Sequence, residues 1–155
     1  MTRGEIDGRI VRDKDIDGLS YRIEVEPDYA STPYDADCYT PKQIEAWKRD
    51  DWQYVGVTVT PYLDGLGMDL PGENSLWGLE WGSLPQTTED DRVIGQSWID
   101  LDYMIIGTPD HPEYAYPVPE MIAEARGNLA ESLAPRMEQL RLLLARISAH
   151  DSPYC

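Results

Sequence analysis

The chain lacks phenylalanine entirely and contains only two cysteines and two histidines. Its ten tyrosines and five tryptophans must therefore supply the aromatic packing, and each needs a partner for its polar group. Cys38 and Cys155 do not make a disulfide framework, so we interpret them as reduced cytosolic thiols. His111 and His150 have no histidine or cysteine at metal-ligand spacing, which argues against a zinc site.

Basic residues are also scarce. The chain has 13 Lys and Arg residues against 29 Asp and Glu residues, a net charge of −16. Residues 1–115 hold 24 acidic and 9 basic residues, a net charge of −15. A field of this sign repels nucleic-acid phosphates and anionic lipids, so we expect no direct nucleic-acid or membrane binding. The charge fits either plain solubility or attraction to a basic protein partner.

Long apolar runs are missing. The first 15 residues contain no apolar core of signal-peptide length, and no run approaches a membrane span. We therefore expect a soluble, cytoplasmic protein. The length predicts a single domain over residues 1–150 with a short tail at 151–155.

The stretch Trp52–Gly82 organises the predicted fold. β-Branched and aromatic residues fill Trp52–Pro61, which predicts a strand. A return strand is predicted over Asn74–Gly82, after a loop at Tyr62–Glu73, and Pro85–Asp91 breaks the pattern again. Alternation places one set of side chains on one face of the first strand (Val55, Val57, Val59) and another on one face of the return strand (Trp77, Leu79, Trp81).

The N-terminal segment predicts a hairpin. Gly8–Asp13 is a short candidate strand, Lys14–Gly18 a turn, and Leu19–Glu26 an alternating strand with Tyr21, Ile23 and Val25 on one face. The residues Asp13, Asp15, Asp17, Gly18 and Glu24 match the calcium-loop pattern D-x-D-x-D-G-x5-E. Strand-like flanks replace the two helices that such a loop needs, so we predict an acidic hairpin and no metal.

Helical signals occur in three places. Thr40, Pro41 and Gln43 form a capping box ahead of a short helix that ends near residues 49–50. Ser97–Ile106 fits either a helix or a strand, and Ser97 with Asp100 favours the helix. Pro119–His150 carries an apolar stripe, which predicts a kinked helix or two helices meeting at Ala134 and Pro135. We expect this stripe to pack in the core rather than in a dimer.

These elements predict an α+β fold, with a small, mostly antiparallel sheet of about four strands and helices on one face. No catalytic or cofactor motif accompanies them: no serine has a G-x-S-x-G frame and no glycine-rich loop matches a phosphate-binding pattern. We therefore predict no cofactor.

Two candidate sites follow from the polar residues. The first is a partner-binding face made of five acidic residues at and after the end of the first hairpin: Glu24, Glu26, Asp28, Asp35 and Asp37. Glu80 and Asp102 are expected to lie away from it. The alternative is an enzyme or ligand site assembled from distant residues near His111, with Asp100 and Tyr103.

Residues 47–80 carry the pattern W-x4-W-x-Y-V-G-V, followed by S-L-W-G-L-E. This pattern resembles short uncharacterised proteins encoded by tailed phages of actinobacteria. The resemblance implies an accessory protein that acts inside a bacterial host, and it transfers no functional residue. The leading hypothesis is a non-enzymatic, acidic interaction module whose partner has a basic, nucleic-acid-binding surface, with a homodimer through the C-terminal helix as a further option.

Overall fold

The computed structural model describes residues 10–16, 19–63 and 68–150, with side chains over 19–63 and 68–149. These residues form a six-stranded sheet and three α-helices, which confirms the α+β class. In chain order the elements are β1 (Ile10–Ile16), β2 (Leu19–Pro27), α1 (Pro41–Lys48), β3 (Trp52–Leu63), β4 (Met68–Asp69), β5 (Asn74–Thr87), β6 (Val93–Ile99), α2 (Leu101–Ile106) and α3 (Val118–His150). All strand pairs are antiparallel, in the order β1-β2-β3-β5-β6, and β4 pairs with the end of β3.

The N-terminal hairpin has the predicted strands but a shorter turn. Strand β1 continues to Ile16, which pairs with Leu19, so the turn predicted from Lys14 is wrong for its first three residues. Residues 17 and 18 lie outside the described part of the chain. Glu24 pairs with Val11, two places along the ladder from Asp13, which confirms the hairpin arrangement over a calcium loop. The absence of a calcium site stays a prediction.

The main core lies on one face of the central strands. The side chains predicted to share a face in β2 and β3 are fully buried: Tyr21, Ile23, Val25, Val55, Val57 and Val59. Helix α2 and the first half of α3 cover this face, contributing Met104, Ile122 and Ala125 among others. The alternation read from the sequence is therefore confirmed for both strands.

A second, smaller cluster lies on the opposite face and consists of Ala46, Trp52, Tyr54 and Leu84. Helix α1 covers it, so the expectation of helices on only one face is wrong. The capping box that begins α1 is present as predicted, with Thr40 accepting from the Gln43 N–H. The Trp52 indole donates to the Gln43 carbonyl at 2.8 Å, and this contact ties the helix to the sheet.

A β-bulge in β5 reverses part of the predicted side-chain pattern. Val55 pairs with Leu79 and Val57 with Leu76, so β5 uses three residues where β3 uses two. The extra residue is accommodated at Gly78, which has a φ of +74°. Leu76 consequently packs against the main core, and Trp77 lies on the other face above Gly56, 52% exposed. The prediction that Trp77 shares a face with Leu79 is wrong for this reason.

Strand β5 also runs further than predicted, through Pro85 to Thr87. The Pro85 carbonyl accepts from the Gln43 side chain at 2.9 Å and so faces α1 rather than β6. Because the N and C=O of one residue lie on the same side of an antiparallel strand, the missing N–H removes no bond to β6. The break predicted at Pro85–Asp91 is therefore confined to the turn that begins at Thr88.

The ambiguous segment Ser97–Ile106 divides into two elements. Strand β6 ends at Ile99, and α2 begins after Asp100, whose side chain accepts from the Tyr103 N–H at 2.9 Å. The prediction of one helix starting at Ser97 is wrong, because Asp100 rather than Ser97 is the N-cap. The loop that follows contains a short 3-10 turn at Pro112–Tyr114.

Helix α3 is one continuous helix of 33 residues that includes Pro135, and at 1.5 Å per residue it is about 50 Å long. Its first half buries Ile122, Ala125 and Leu129 against the sheet. Residues 134–149, called the α3 arm below, are all exposed, so core packing is the wrong expectation for this half. No helix in the described residues combines the length and apolarity that crossing a membrane requires.

Candidate functional site

The five residues of the predicted acidic face do not form one exposed surface. Glu24 is buried, with its carboxylate 3.8 Å from the Arg22 guanidinium. Glu26 and Asp28 are half-buried, and Asp35 and Asp37 are exposed. Of the last two, Asp35 accepts from the Thr32 hydroxyl at 3.1 Å.

Asp28 holds its own loop together. Its carboxylate accepts from the Ser31 hydroxyl at 2.7 Å, the Ala30 N–H at 3.0 Å and the Gly78 N–H at 2.9 Å. Burial opposes ionisation, but these hydrogen bonds outweigh it and lower the pKa of Asp28 below its ordinary value. Because Gly78 belongs to β5, Asp28 also fixes the acidic loop, residues 28–39, against the sheet.

A cavity of about 310 Å³ lies where β6 ends. Strand β6 pairs with β5 only over Gly82–Thr87, and Ile99 is opposite Gly82. Residues 78–80 of β5 therefore have no strand on that side within the described residues. Helix α2, the loop after it and the end of the acidic loop bound the space instead. We call it the tyrosine cavity, after its lining residues Tyr39, Tyr103, Tyr114 and Tyr116, which it shares with Glu80.

Tyr39 and Glu80 form the fixed wall of the tyrosine cavity. The Tyr39 hydroxyl donates to Glu80 Oε2 at 2.5 Å. The Tyr39 ring stacks on Trp52 with a centroid distance of 5.1 Å and meets Tyr54 edge-on, so the second core cluster holds it in place. Burial, followed by the hydrogen bond to Glu80, raises the pKa of Tyr39 well above its ordinary value. Tyr39 therefore stays a neutral donor at ordinary pH, and this contact with Glu80 persists.

The opposite wall comes from α2 and the loop behind it. Tyr103 follows the Asp100 cap, and Tyr114 ends the short 3-10 turn. The His111 ring stacks on Tyr114 with centroids 4.5 Å apart, and His111 Nδ1 lies 2.8 Å from a Glu113 carboxylate oxygen. Tyr114 and Tyr116 remain 49% and 56% exposed at the mouth of the cavity.

The three residues of the alternative site are separated by this arrangement. Tyr103 lines the tyrosine cavity, whereas His111 contacts a lining residue, Tyr114, without lining the cavity itself. Asp100 caps α2 and accepts from the Trp98 indole at 2.9 Å. The His111–Glu113 pair is exposed, and the hydrogen bond from His111 lowers the pKa of Glu113. The geometry thus supplies a binding cavity near His111 rather than an acid–base pair aimed into one.

The segment that supplies all of the cavity lining except Tyr39 is acidic along its length. Residues 68–117 hold ten acidic residues and a single basic residue, Arg92, a net charge of −9. The hydrogen bonds from Tyr39 to Glu80 and from Gly78 to Asp28 join this segment to the acidic loop. Glu80 therefore lies beside that loop, and the expectation that it lies elsewhere is wrong. Within the described part of the chain, no cluster of His, Cys, Asp and Glu side chains has the arrangement of a metal site.

The α3 arm forms a separate surface of opposite character. It carries three arginines and one glutamate, a net charge of +2. From Leu133 onward, apolar residues recur at alternating four- and three-residue steps, ending with Met137, Leu140, Leu144 and Ile147. Every one of these last four side chains is about half exposed or more. An apolar stripe of this size on a projecting helix is typical of an interaction surface.

The tyrosine cavity could not be found from the sequence, because its residues come from four separate segments. The only signal was the abundance of tyrosine without phenylalanine, which applies equally to the core. No protein-family model matches the chain, and no curated protein or solved structure is similar to it.

Proposed function

We propose that this protein is a non-enzymatic, acidic interaction module that binds a basic surface of another protein. The observation that supports the proposal best is the net charge of −9 on residues 68–117, a segment that two hydrogen bonds join to the acidic loop. This net charge attracts a basic partner over distances of about one Debye length, roughly 8 Å at physiological salt. The resemblance of residues 47–80 to phage proteins fits a partner in a bacterial host, and the partner surface that fits best is one that normally binds nucleic acid.

Nucleic acid is the polyanion that such a basic host surface recognises, and an acidic protein can take its place. The interaction would then be steered by charge, with an association rate that falls steeply as salt rises. His111 pairs with the exposed Glu113 and Asp100 caps α2, so these acid–base groups do not converge on the cavity, and this favours binding over catalysis.

The experiment is affinity capture from host lysate at low and high salt, followed by affinity measurements on the purified partner. The test variant is Asp35→Asn with Asp37→Asn, which removes two exposed negative charges from the acidic loop. The control variant, Glu120→Gln with Glu124→Gln, removes the same charge from exposed positions on α3. We expect the loop variant to bind more weakly with a flatter salt dependence and the control to bind as wild type. Equal affinity and equal salt slope in both variants would contradict the proposal.

We further propose that the α3 arm pairs with the arm of a second copy of the chain. From Leu133 to Ile147, apolar residues recur four and then three positions apart, twice in succession. This spacing suits the contact seam of a short antiparallel helix pair. No residue of the arm is buried, so pairing would cover its apolar stripe. Its net positive charge distinguishes it from the acidic surface, so the two surfaces can act independently.

A further inference from the structure

We propose that the tyrosine cavity binds an alkylammonium group, a positively charged nitrogen carried on aliphatic carbon. A lysine side chain of a basic protein and a free small amine both present this group. The inference deepens the proposed function and rests on it only for the first of these sources. Binding of the free amine tests the cavity by itself.

The aromatic lining of the cavity suits a cation. Four tyrosines line a space of about 310 Å³, at the small end of the range of roughly 300–1,000 Å³ typical of ligand sites. Ring faces attract cations, and a set of aromatic side chains around one space is the usual way in which proteins bind substituted ammonium groups. Tyr114 and Tyr116 are exposed at the mouth although neither is needed to cover the core.

Glu80 supplies the negative charge that a bound cation needs. It is the only charged residue that lines the cavity, and no lysine, arginine or histidine of the described residues forms an ion pair with it. A half-buried carboxylate without a counter-ion is costly, because the low dielectric strengthens its demand for opposite charge. The Tyr39 hydroxyl occupies only Oε2, which leaves Oε1 for a ligand. Because Tyr39 is locked onto Trp52, the carboxylate is already positioned before the ligand arrives.

The remaining lining selects among cations. Leu79, Ile99, Met104 and Pro117 supply apolar surface, which suits methyl or methylene groups around the nitrogen. A divalent metal ion would need several oxygen ligands, and Glu80 is the single carboxylate present. An arginine side chain binds best through both oxygens of a carboxylate, and the Tyr39 hydroxyl already uses one acceptor site on Glu80 Oε2. An anion would meet the negative charge of Glu80 and no basic residue among the described residues of the lining.

The test titrates choline and its neutral isostere 3,3-dimethylbutan-1-ol into the full chain, with amide chemical shifts of residues 78–80 and 103 as the readout. We expect choline to bind about tenfold more tightly than the isostere, and Glu80→Gln and Tyr116→Leu each to weaken choline about five- to tenfold. Tyr116 is exposed, so its variant keeps the fold. The matched controls are Glu89→Gln and Tyr29→Leu, both exposed and outside the cavity, and they should bind choline as wild type does.

Equal affinity for choline and its isostere, or no saturable shift with either, would overturn the inference. So would unchanged choline binding by the Glu80 and Tyr116 variants. A lysine peptide that shifts the same amides, against an alanine peptide that does not, identifies a protein side chain as the source. Choline binding together with failed capture of any basic partner would retain the cavity as an ammonium site and refute the proposed function.

Discussion

Replacing Gly72 by alanine tests how α3 docks on the sheet. Gly72 has a φ of +117°, and an added Cβ would lie 2.7 Å from the Ala125 carbonyl oxygen and 3.0 Å from the Leu129 nitrogen. Both are backbone atoms of α3, so the clash is relieved only by moving the helix away from the sheet. The positive φ costs about 1–3 kcal/mol for a residue with a Cβ, and overpacking adds about 1–3 kcal/mol.

We therefore expect Gly72→Ala to lower the free energy of unfolding by about 2–6 kcal/mol, a large part of the 5–15 kcal/mol typical of a domain. The melting temperature should fall by roughly 4–24 °C, measured by circular dichroism alongside urea denaturation. The control is Gly127→Ala, because an added Cβ there would have nothing within 4 Å. It lies inside α3, where alanine should stabilise by up to about 1 kcal/mol. Gly72→Ala within 0.5 kcal/mol of wild type, roughly the range of a neutral surface change, would refute the docking of α3 at Gly72.

Three further predictions concern the core, the arm and the acidic loop. Val55→Asp places a carboxylate in a fully buried site and should destabilise by several kcal/mol, and an unchanged thermal melt would contradict the burial of this face. Leu144→Glu should convert a dimer into a monomer in analytical ultracentrifugation and should leave the melting temperature unchanged at dilutions where the wild type is itself monomeric. Gln139→Glu on the other side of the arm should stay dimeric, and a wild-type monomer at high concentration would contradict arm pairing. Asp28→Asn should lose about 1 kcal/mol at neutral pH. The folded pKa of Asp28 is depressed, so its contribution to the free energy of unfolding is present above the ordinary pKa of 3.8 and disappears as the pH falls through the folded pKa. Denaturant melts of the variant and the wild type should therefore converge in acid. A constant difference between them would contradict the assignment.

Elements that depend on residues close together in the sequence were predictable. The capping box at Thr40 and the buried faces of β2 and β3 depend on neighbouring residues only, and both are confirmed. The bulge at Gly78 is different, because the extra residue shows only when β5 is paired with β3. One inserted residue moved Trp77 to the opposite face, and a single strand pattern carries no sign of it.

Tertiary contacts also determine which of the acidic residues are exposed to solvent. Glu24 and Asp28 occupy positions that alternate with apolar residues or follow a strand, which predicts solvent exposure. The structure instead buries Glu24 and commits Asp28 to hydrogen bonds with Ser31 and Gly78. Likewise, the apolar stripe of α3 predicts a buried face but does not say whether the sheet or another molecule covers it.

The central claim is that the protein occupies a basic, nucleic-acid-binding surface of its partner. The most direct test is a competition in which the captured partner is bound to labelled nucleic acid and this protein is added, with fluorescence anisotropy as the readout. The account predicts stoichiometric release of the nucleic acid, and weaker release by the Asp35→Asn, Asp37→Asn variant than by wild type. A stable ternary complex, with the nucleic acid still bound at saturating protein, would contradict it.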